Sequence, residues 1–267
     1  MREIQTGGIQ VDVTNYCDKI CSNCTRFIGN YKKEQMFHMN VETFEKIVIS
    51  MKDFPLILGL IGGEPTIHPQ FLKFCEILRK HRDKERCGLW SNQGKKYREY
   101  EYFINLTFGY QCLNQHIEPI YHTPLLVSSK SVVNDESLRN ELINKCWIQN
   151  CWSASVNHKG AFFCEVAGAM SILYDGPIGI SIETKDWWKT PLKDFQYQID
   201  WACQQCGGAL PLEPRRSISN IDDMSEDNFQ KLKDQSFKIK NNYFKIFNGG
   251  LDMNQIRNVN WYREYKQ

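Results

Sequence analysis

Residues 16–24 read YCDKICSNC. Cys17, Cys21 and Cys24 stand in a C-x3-C-x2-C frame, and no further cysteine follows until Cys75. Zinc sites and iron–sulfur clusters ordinarily take four protein ligands, so three thiolates in one loop leave a coordination position for something else. Upstream, IQVDVTN at 9–15 alternates apolar and polar residues and reads as a strand feeding this loop. Downstream, Asn40 caps an expected helix with Val41, Phe44, Ile47, Val48 and Met51 on one face. PLILGLI at 55–61 reads as a buried strand ending at Gly62-Gly63, and Pro69 opens a helix carrying Phe71, Leu72, Cys75 and Leu78. Further strands are expected at 87–92 (CGLWSN), 104–109 (INLTFG) and 125–129 (LLVSS), with a helix over 134–145. This alternation predicts an α/β chain with a parallel sheet covered by helices. Such sheets take their ligands at the carboxyl ends of the strands, where both the cysteine loop and Gly62-Gly63-Glu64 fall.

The chain has 267 residues and a net charge of +2, with acids and bases interspersed. That pattern gives no nucleic-acid footprint and no anionic-membrane surface. The longest apolar stretch, FPLILGLIGG at 54–63, is too short to cross a bilayer and is broken by glycine. MREIQTGGIQ lacks the apolar centre of a signal peptide. These features predict a cytoplasmic protein without nucleic-acid or membrane partners. Eleven cysteines in a reducing compartment point to metal binding or catalysis rather than disulfides. Cys75, Cys87 and Cys112 stand alone and read as small apolar packing residues.

From residue 146 the character changes. WSASVN and AFFCEV flank HKG as an expected hairpin, and CQQC follows at 203–206. Cys146, Cys164, Cys203 and Cys206 supply four thiolates for one closed site, either an iron–sulfur cluster or zinc. The DWW stretch at 186–188 reads as packing, with sugar stacking as its alternative. Arg215-Arg216 reads as a surface turn, with phosphate contact as its alternative. Beyond 217 the chain is rich in Asn, Asp and Lys. Ser225 caps a short expected helix there, and NVNWYREYKQ is expected as a surface appendage.

The C-x3-C-x2-C loop, with Tyr16 before its first cysteine, resembles the signature of the radical S-adenosylmethionine superfamily. GLIGGEPTIHP at 59–69 resembles the family's Gly-Gly-Glu-Pro element, and WSNQG at 90–94 its third-strand end. The chain departs from the family at Asn23, where an aromatic residue more often precedes the last cysteine. The resemblance implies a 4Fe-4S cluster on Cys17, Cys21 and Cys24, whose open iron takes the amine and carboxylate of S-adenosylmethionine. Reductive cleavage of that cofactor then yields a 5′-deoxyadenosyl radical. Gly62, Gly63 and Pro65 would approach the cofactor, Glu64 would accept from its ammonium, and Ser91 and Asn92 would face its ribose or carboxylate. Tyr16 and Asn23 would lie beside it.

The second cysteine set resembles the twitch domain, a smaller relative of the SPASM domain. Cys146 precedes Gly160 by 14 positions and Cys164 follows it by four, which favours Cys146 over Cys151 as a ligand. A second, auxiliary 4Fe-4S cluster is then implied on Cys146, Cys164, Cys203 and Cys206. The implied layout is a shortened partial (β/α) barrel over 1–145, a twitch-like domain over 146–216 and a helical or irregular extension over 217–267. Only positions 18–145 separate Cys17 from Cys146, too few for six strand–helix units. This layout resembles the aminocyclitol dehydrogenase type within the superfamily. Only 16 residues precede Cys17, so no leader-peptide-binding domain is expected there.

The resemblance implies an oxidoreductase that takes hydrogen from a small polar substrate: a sugar, an aminocyclitol or a nucleotide-linked sugar. The auxiliary cluster would accept the remaining electron, and a flavodoxin- or ferredoxin-type protein would serve as reductant. Candidate substrate contacts are His116, Glu118, His122 and Glu165. A redox-neutral epimerase or rearrangement enzyme is the alternative, with Cys112 or Cys151 as hydrogen donor. A glycyl-radical-type activase, a peptide-modifying enzyme and a non-enzymatic zinc module are further readings.

Overall fold

The computed structural model describes residues 7–115, 120–146, 148, 154–249 and 251. Its centre is a six-stranded sheet of β1 (Gly8–Asp12), β2 (Ile57–Ile61), β3 (Cys87–Ser91), β4 (Tyr110–Leu113), β6 (Ala154–Asn157) and β7 (Gly160–Phe162). The order across the sheet is β4-β3-β2-β1-β6-β7. Neighbours are parallel from β4 through β6, and β7 turns back antiparallel on β6 as the expected hairpin. β1 is buried along its whole length, as a central parallel strand covered on both faces should be. Because side chains alternate across a strand, Ile9 and Val11 enter the apolar core while Gln10 and Asp12 share the opposite face.

Three helices cover one side. Asn40 opens α1 (Val41–Ser50) by accepting from the Thr43 amide, and α1 buries Phe44, Ile47 and Val48. α2 (Phe71–His81) buries Phe74 and Leu78 among others, and the Phe44 and Phe74 rings pack at 4.3 Å between centroids. Each such buried aromatic or aliphatic side chain contributes about 1.5–3 kcal/mol. α3 (Lys95–Thr107) takes up much of the segment expected as a strand at 104–109. Its last turn contains Ile104 and Thr107, so 104–107 is helical and the strand begins at Tyr110. Ile104 and Thr107 lie on the buried stripe of a helix, with Tyr97 seven residues before Ile104 on the same face.

The expected strand at 125–129 is also absent. Leu125, Leu126 and Val127 are buried, but they lead into α4 (Ser129–Val132), which Ser128 caps through the Ser131 amide. Leu126 makes only an isolated bridge to Met224. α5 (Glu136–Asn144) follows, then α6 (Glu165–Leu173), buried at every position, and α7 (Gln196–Ala202). In the DWW stretch Trp187 is wholly buried and donates to the Ser50 hydroxyl at 3.1 Å, while Trp188 packs on Phe54.

The polar segment after 217 is built into the molecule. β9 (Asp222–Met224) pairs with β10 (Phe244–Ile246), joined by α8 (Glu226–Leu232) and α9 (Phe237–Lys240). A short antiparallel pair, β5 (Tyr121–His122) with β8 (Arg215–Arg216), lies nearby. The expected appendage NVNWYREYKQ falls outside the described residues. Among the described residues no helix is long and apolar enough to cross a membrane.

Candidate functional site

A cavity of about 450 Å³ opens at the carboxyl ends of β1, β2 and β3. It sits where the strand order turns about β1, with β2 on one side and β6 on the other, the position at which open parallel sheets form ligand crevices. Cys17, Cys21 and Cys24 all line it, together with Gly62, Gly63, Ser91 and Asn92. The cysteine loop is held there by the end of β2. The Gly63 amide donates to the Thr14 carbonyl and the Glu64 amide to the Tyr16 carbonyl, both at 2.8 Å. A Cβ on Gly62 would stand 2.1 Å from the Thr14 oxygen, and one on Gly63 would stand 2.0 Å from the Tyr16 oxygen. The glycines are therefore needed for the approach of β2 to the cysteine loop, as well as for lining the cavity.

Other expected cofactor contacts lie off the cavity wall. Glu64 is fully buried behind it, accepting from the Thr66 amide and hydroxyl, the Ser91 hydroxyl and the Asn92 amide. Its carboxylate is occupied by the protein, so its bonds orient Ser91 and Asn92 rather than reaching a ligand. Burial pushes its pKa up, and these donors pull it back. Pro65 is buried at the start of the turn that Glu64 caps. Tyr16 is 40% exposed and stacks on His38 with centroids 4.4 Å apart. Asn23, at φ +48°, turns its side chain to Asp223 instead of a ligand.

The donor set suits a soft, cationic group. Burial pushes the Cys17 thiol pKa up strongly and that of Cys21 up to about 12. Without a cation these sulfurs stay protonated, and iron would displace the protons. Cys17 Sγ already accepts from the Lys19 amide at 3.4 Å. Asn92 adds a second signal. Its Oδ1 is buried at the cavity wall with no hydrogen-bond partner among the described residues, an acceptor available to a ligand's N–H or O–H.

Sequence reasoning named Glu165 but missed Gln10 and Arg26, with which it forms the charged floor of the cavity. Arg26 is buried, its Nε 2.6 Å from Asp12 Oδ1, its Nη1 3.1 Å from Glu165 Oε1 and its Nη2 2.6 Å from Gln10 Oε1. Gln10, Arg26 and Glu165 all face the cavity. Burial raises the pKa of both Asp12 and Glu165, and Arg26 opposes it. For Gln10 and Asp12 the sequence signal was the polar half of β1. Trp90 and Tyr110 form an aromatic wall with centroids 5.4 Å apart. The indole lies over Gly59 and Gly88, where a Cβ would come within 2.0 and 2.7 Å of it.

Of the expected substrate contacts, His122, Glu165 and Cys112 reach the cavity. His122 Nδ1 lies 2.7 Å from the Ser22 carbonyl, and burial lowers its pKa, so the ring is neutral near pH 7. Burial raises the pKa of Cys112, which remains a thiol. His116, Glu118 and Cys151 lie outside the described residues.

The second cysteine set also converges. Ionised Cys146 would raise the pKa values of Cys164, Cys203 and Cys206, which burial already pushes upward, so the four sulfurs share one neighbourhood. Cys206 Sγ accepts from the Gly208 amide at 3.3 Å. Four thiols match a thiolate-ligated cluster or zinc in composition. Among the described residues no three His, Cys, Asp or Glu side chains are grouped as they would be around a single metal ion.

No family model matches the chain, and no curated protein matches it. Among solved structures it is similar to BtrN. The crystal structure of BtrN in complex with AdoMet and 2-DOIA gives a TM-score of 0.46 at 12% identity, covering 75% of this chain and 92% of that one. BtrN with selenomethionine, in an open conformation, gives 0.44 at 11% identity, covering 78% and 90%.

Proposed function

We propose that this chain is a radical S-adenosylmethionine enzyme that oxidises an alcohol on a small polar substrate such as a sugar, an aminocyclitol or a nucleotide-linked sugar. One observation carries the reading. Three cysteine thiols and the Asn92 oxygen, without a partner among the described residues, face a single cavity, and four more thiols gather beyond its Glu165 wall. Cys17, Cys21 and Cys24 hold a 4Fe-4S cluster, and Cys146, Cys164, Cys203 and Cys206 hold a second. When bound, these clusters and S-adenosylmethionine supply the one-electron chemistry that removes a hydrogen atom from a C–H bond and accepts the electron left behind.

The protein's own side chains do the rest. The backbone of Gly62-Gly63, with Ser91 and Asn92 fixed by Glu64, forms the cofactor wall. Gln10, Arg26 and Glu165 offer donors and acceptors to a polyol in a site with few competing waters. His122, neutral near pH 7, is placed to take the hydroxyl proton of the substrate. A flavodoxin- or ferredoxin-type protein delivers the first electron. We assign 1–145 to the partial barrel and 146–216 to the twitch-like domain.

The test is anaerobic reconstitution followed by dithionite. About eight iron atoms per chain, together with release of methionine and 5′-deoxyadenosine, support the reading. Two zinc atoms without sulfide, or an inert cofactor, end it. Replacing Cys24 by Ser should abolish cleavage and leave the second cluster's iron. Replacing Cys203 should leave cleavage and remove substrate oxidation.

The redox-neutral alternative keeps one specific support, the protonated Cys112 thiol on the cavity wall. Cys112→Ala would stop an epimerase at its radical stage and leave a dehydrogenase turning over.

A further inference from the structure

We infer that the C-terminal segment 217–246 braces the cysteine loop, and that Lys238 is the positioning residue through which it sets the reduction potential of the cluster held there. The inference rests on the reading just given for that loop.

Lys238 has no exposed surface. Its ammonium donates to the Cys21 carbonyl at 2.7 Å and to Asp222 Oδ1 at 2.6 Å. The same Asp222 oxygen accepts from the Asn23 amide at 2.6 Å, and Oδ2 accepts from Asn30 Nδ2 at 2.7 Å. One carboxylate thus gathers both sides of the loop that contains Cys24, and one ammonium fastens Cys21. Around this centre the Ser22 amide donates to the Ser217 carbonyl, and the Ile221 amide donates to the Ser22 hydroxyl. The Lys238 stem lies over Gly29, whose φ is +91° and whose Cβ would stand 3.1 Å from Lys238 Cγ.

The brace explains the residue before Cys24. Asn23 sits in the left-handed region that Asn tolerates and aromatic residues resist. Its side chain exchanges bonds with Asp223, donating to Oδ2 at 3.0 Å and accepting from the amide at 2.9 Å. Asp223 is in turn gripped by Arg215. The position has been given over to holding the C-terminal segment.

A fully buried lysine is rare and needs a paired charge. A methionine would fill the same channel without desolvating an ammonium. The charge lies against the backbone of a cysteine ligand, where positive charge and hydrogen bonding raise a cluster's potential. Asp222 acts in the opposite sense.

Lys238→Met, Asp222→Asn and the double variant, with Lys238→Arg as control, separate this role from packing. In redox titrations followed by electron paramagnetic resonance, Lys238→Met should shift the midpoint downward and Asp222→Asn upward. The double variant should return towards wild type, and Lys238→Arg should stay near it. Single variants that move the same way, or not at all, overturn the electrostatic role. In the cluster-free proteins, hydrogen exchange at residues 21–30 should quicken roughly tenfold or more in Lys238→Met, with β1 to β3 unchanged. Unchanged exchange overturns the brace. Failure of the functional reading shows separately, as a wild-type chain that holds no iron. If Lys238→Met does not fold, Asp222→Asn against Lys238→Arg gives the same decision.

Discussion

Arg26, two residues beyond Cys24, stands 3.1 Å from the carboxylate of Glu165, the residue after Cys164, and both side chains are buried. One guanidinium thereby joins the loop of three cysteines to the helix that follows Cys164. Asp12 holds the same guanidinium from the sheet at 2.6 Å. Arg26→Met leaves two buried carboxylates without a cation and should cost about 3–5 kcal/mol. Glu165→Gln keeps the Arg26–Asp12 pair and should cost about 1–3 kcal/mol. Denaturant unfolding of both variants checks the order, and a larger loss in Glu165→Gln contradicts it.

Glu64 distinguishes support of the cavity wall from contact with the cofactor. Glu64→Gln turns an amide group on part of a shell of donors, at about 1–3 kcal/mol for each donor left unpaired. Stability and S-adenosylmethionine affinity should therefore fall together, the second through displaced Ser91 and Asn92. Unchanged unfolding with lost binding, measured by calorimetry, would instead place the carboxylate on the ligand.

His68 carries a pH signature. Its Nδ1 accepts from the Gln70 amide and its Nε2 meets the Met39 carbonyl, an arrangement that only the neutral ring satisfies. Burial, with His38 nearby, pushes its pKa down to about 4. Between about pH 6.5 and that value the unfolded chain binds a proton that the folded chain excludes, so stability declines as pH falls through this window. The full difference is about 3 kcal/mol. Unfolding free energies of wild type and His68→Gln, compared at about pH 7 and pH 4, should differ by that amount, since other groups cancel.

Asn23→Phe, which restores the aromatic residue more common at this position, should destabilise the chain. It strains a left-handed backbone and breaks both bonds with Asp223, about 2–4 kcal/mol in total. A rise in melting temperature would show that the bonds to Asp223 do not hold the loop.

Local patterns carried the first half of the fold well. The strand at 57–61, the cap at Asn40 and the glycines ending β2 depend on neighbours within a few residues. The C-x3-C-x2-C spacing likewise singled out the three cysteines that line one cavity. Residues 104–107 misled because Ile104 and Leu106 alternate with polar neighbours as in a strand, while Ile104 and Thr107 also fit the buried stripe of a helix. Arg26 and Glu165 are 139 positions apart, and Lys238 and Cys21 are 217 apart. No local period records such pairs. The segment after 217 is polar and reads as solvated, because its burial rests on charge pairing rather than apolar periodicity. Glu64 was legible as a site residue, but which neighbours its oxygens face was not.

The indole of Trp90 lying across Gly59 and Gly88 gives the cavity an adjustable breadth. A single methyl group added on the strand floor at Gly59 would collide with the ring and force it to shift, and one at Gly88 would meet both the ring and Ile57. Ligand size is thus governed from beneath, by two positions that never meet the occupant, so evolution can resize the chamber without disturbing its polar contacts.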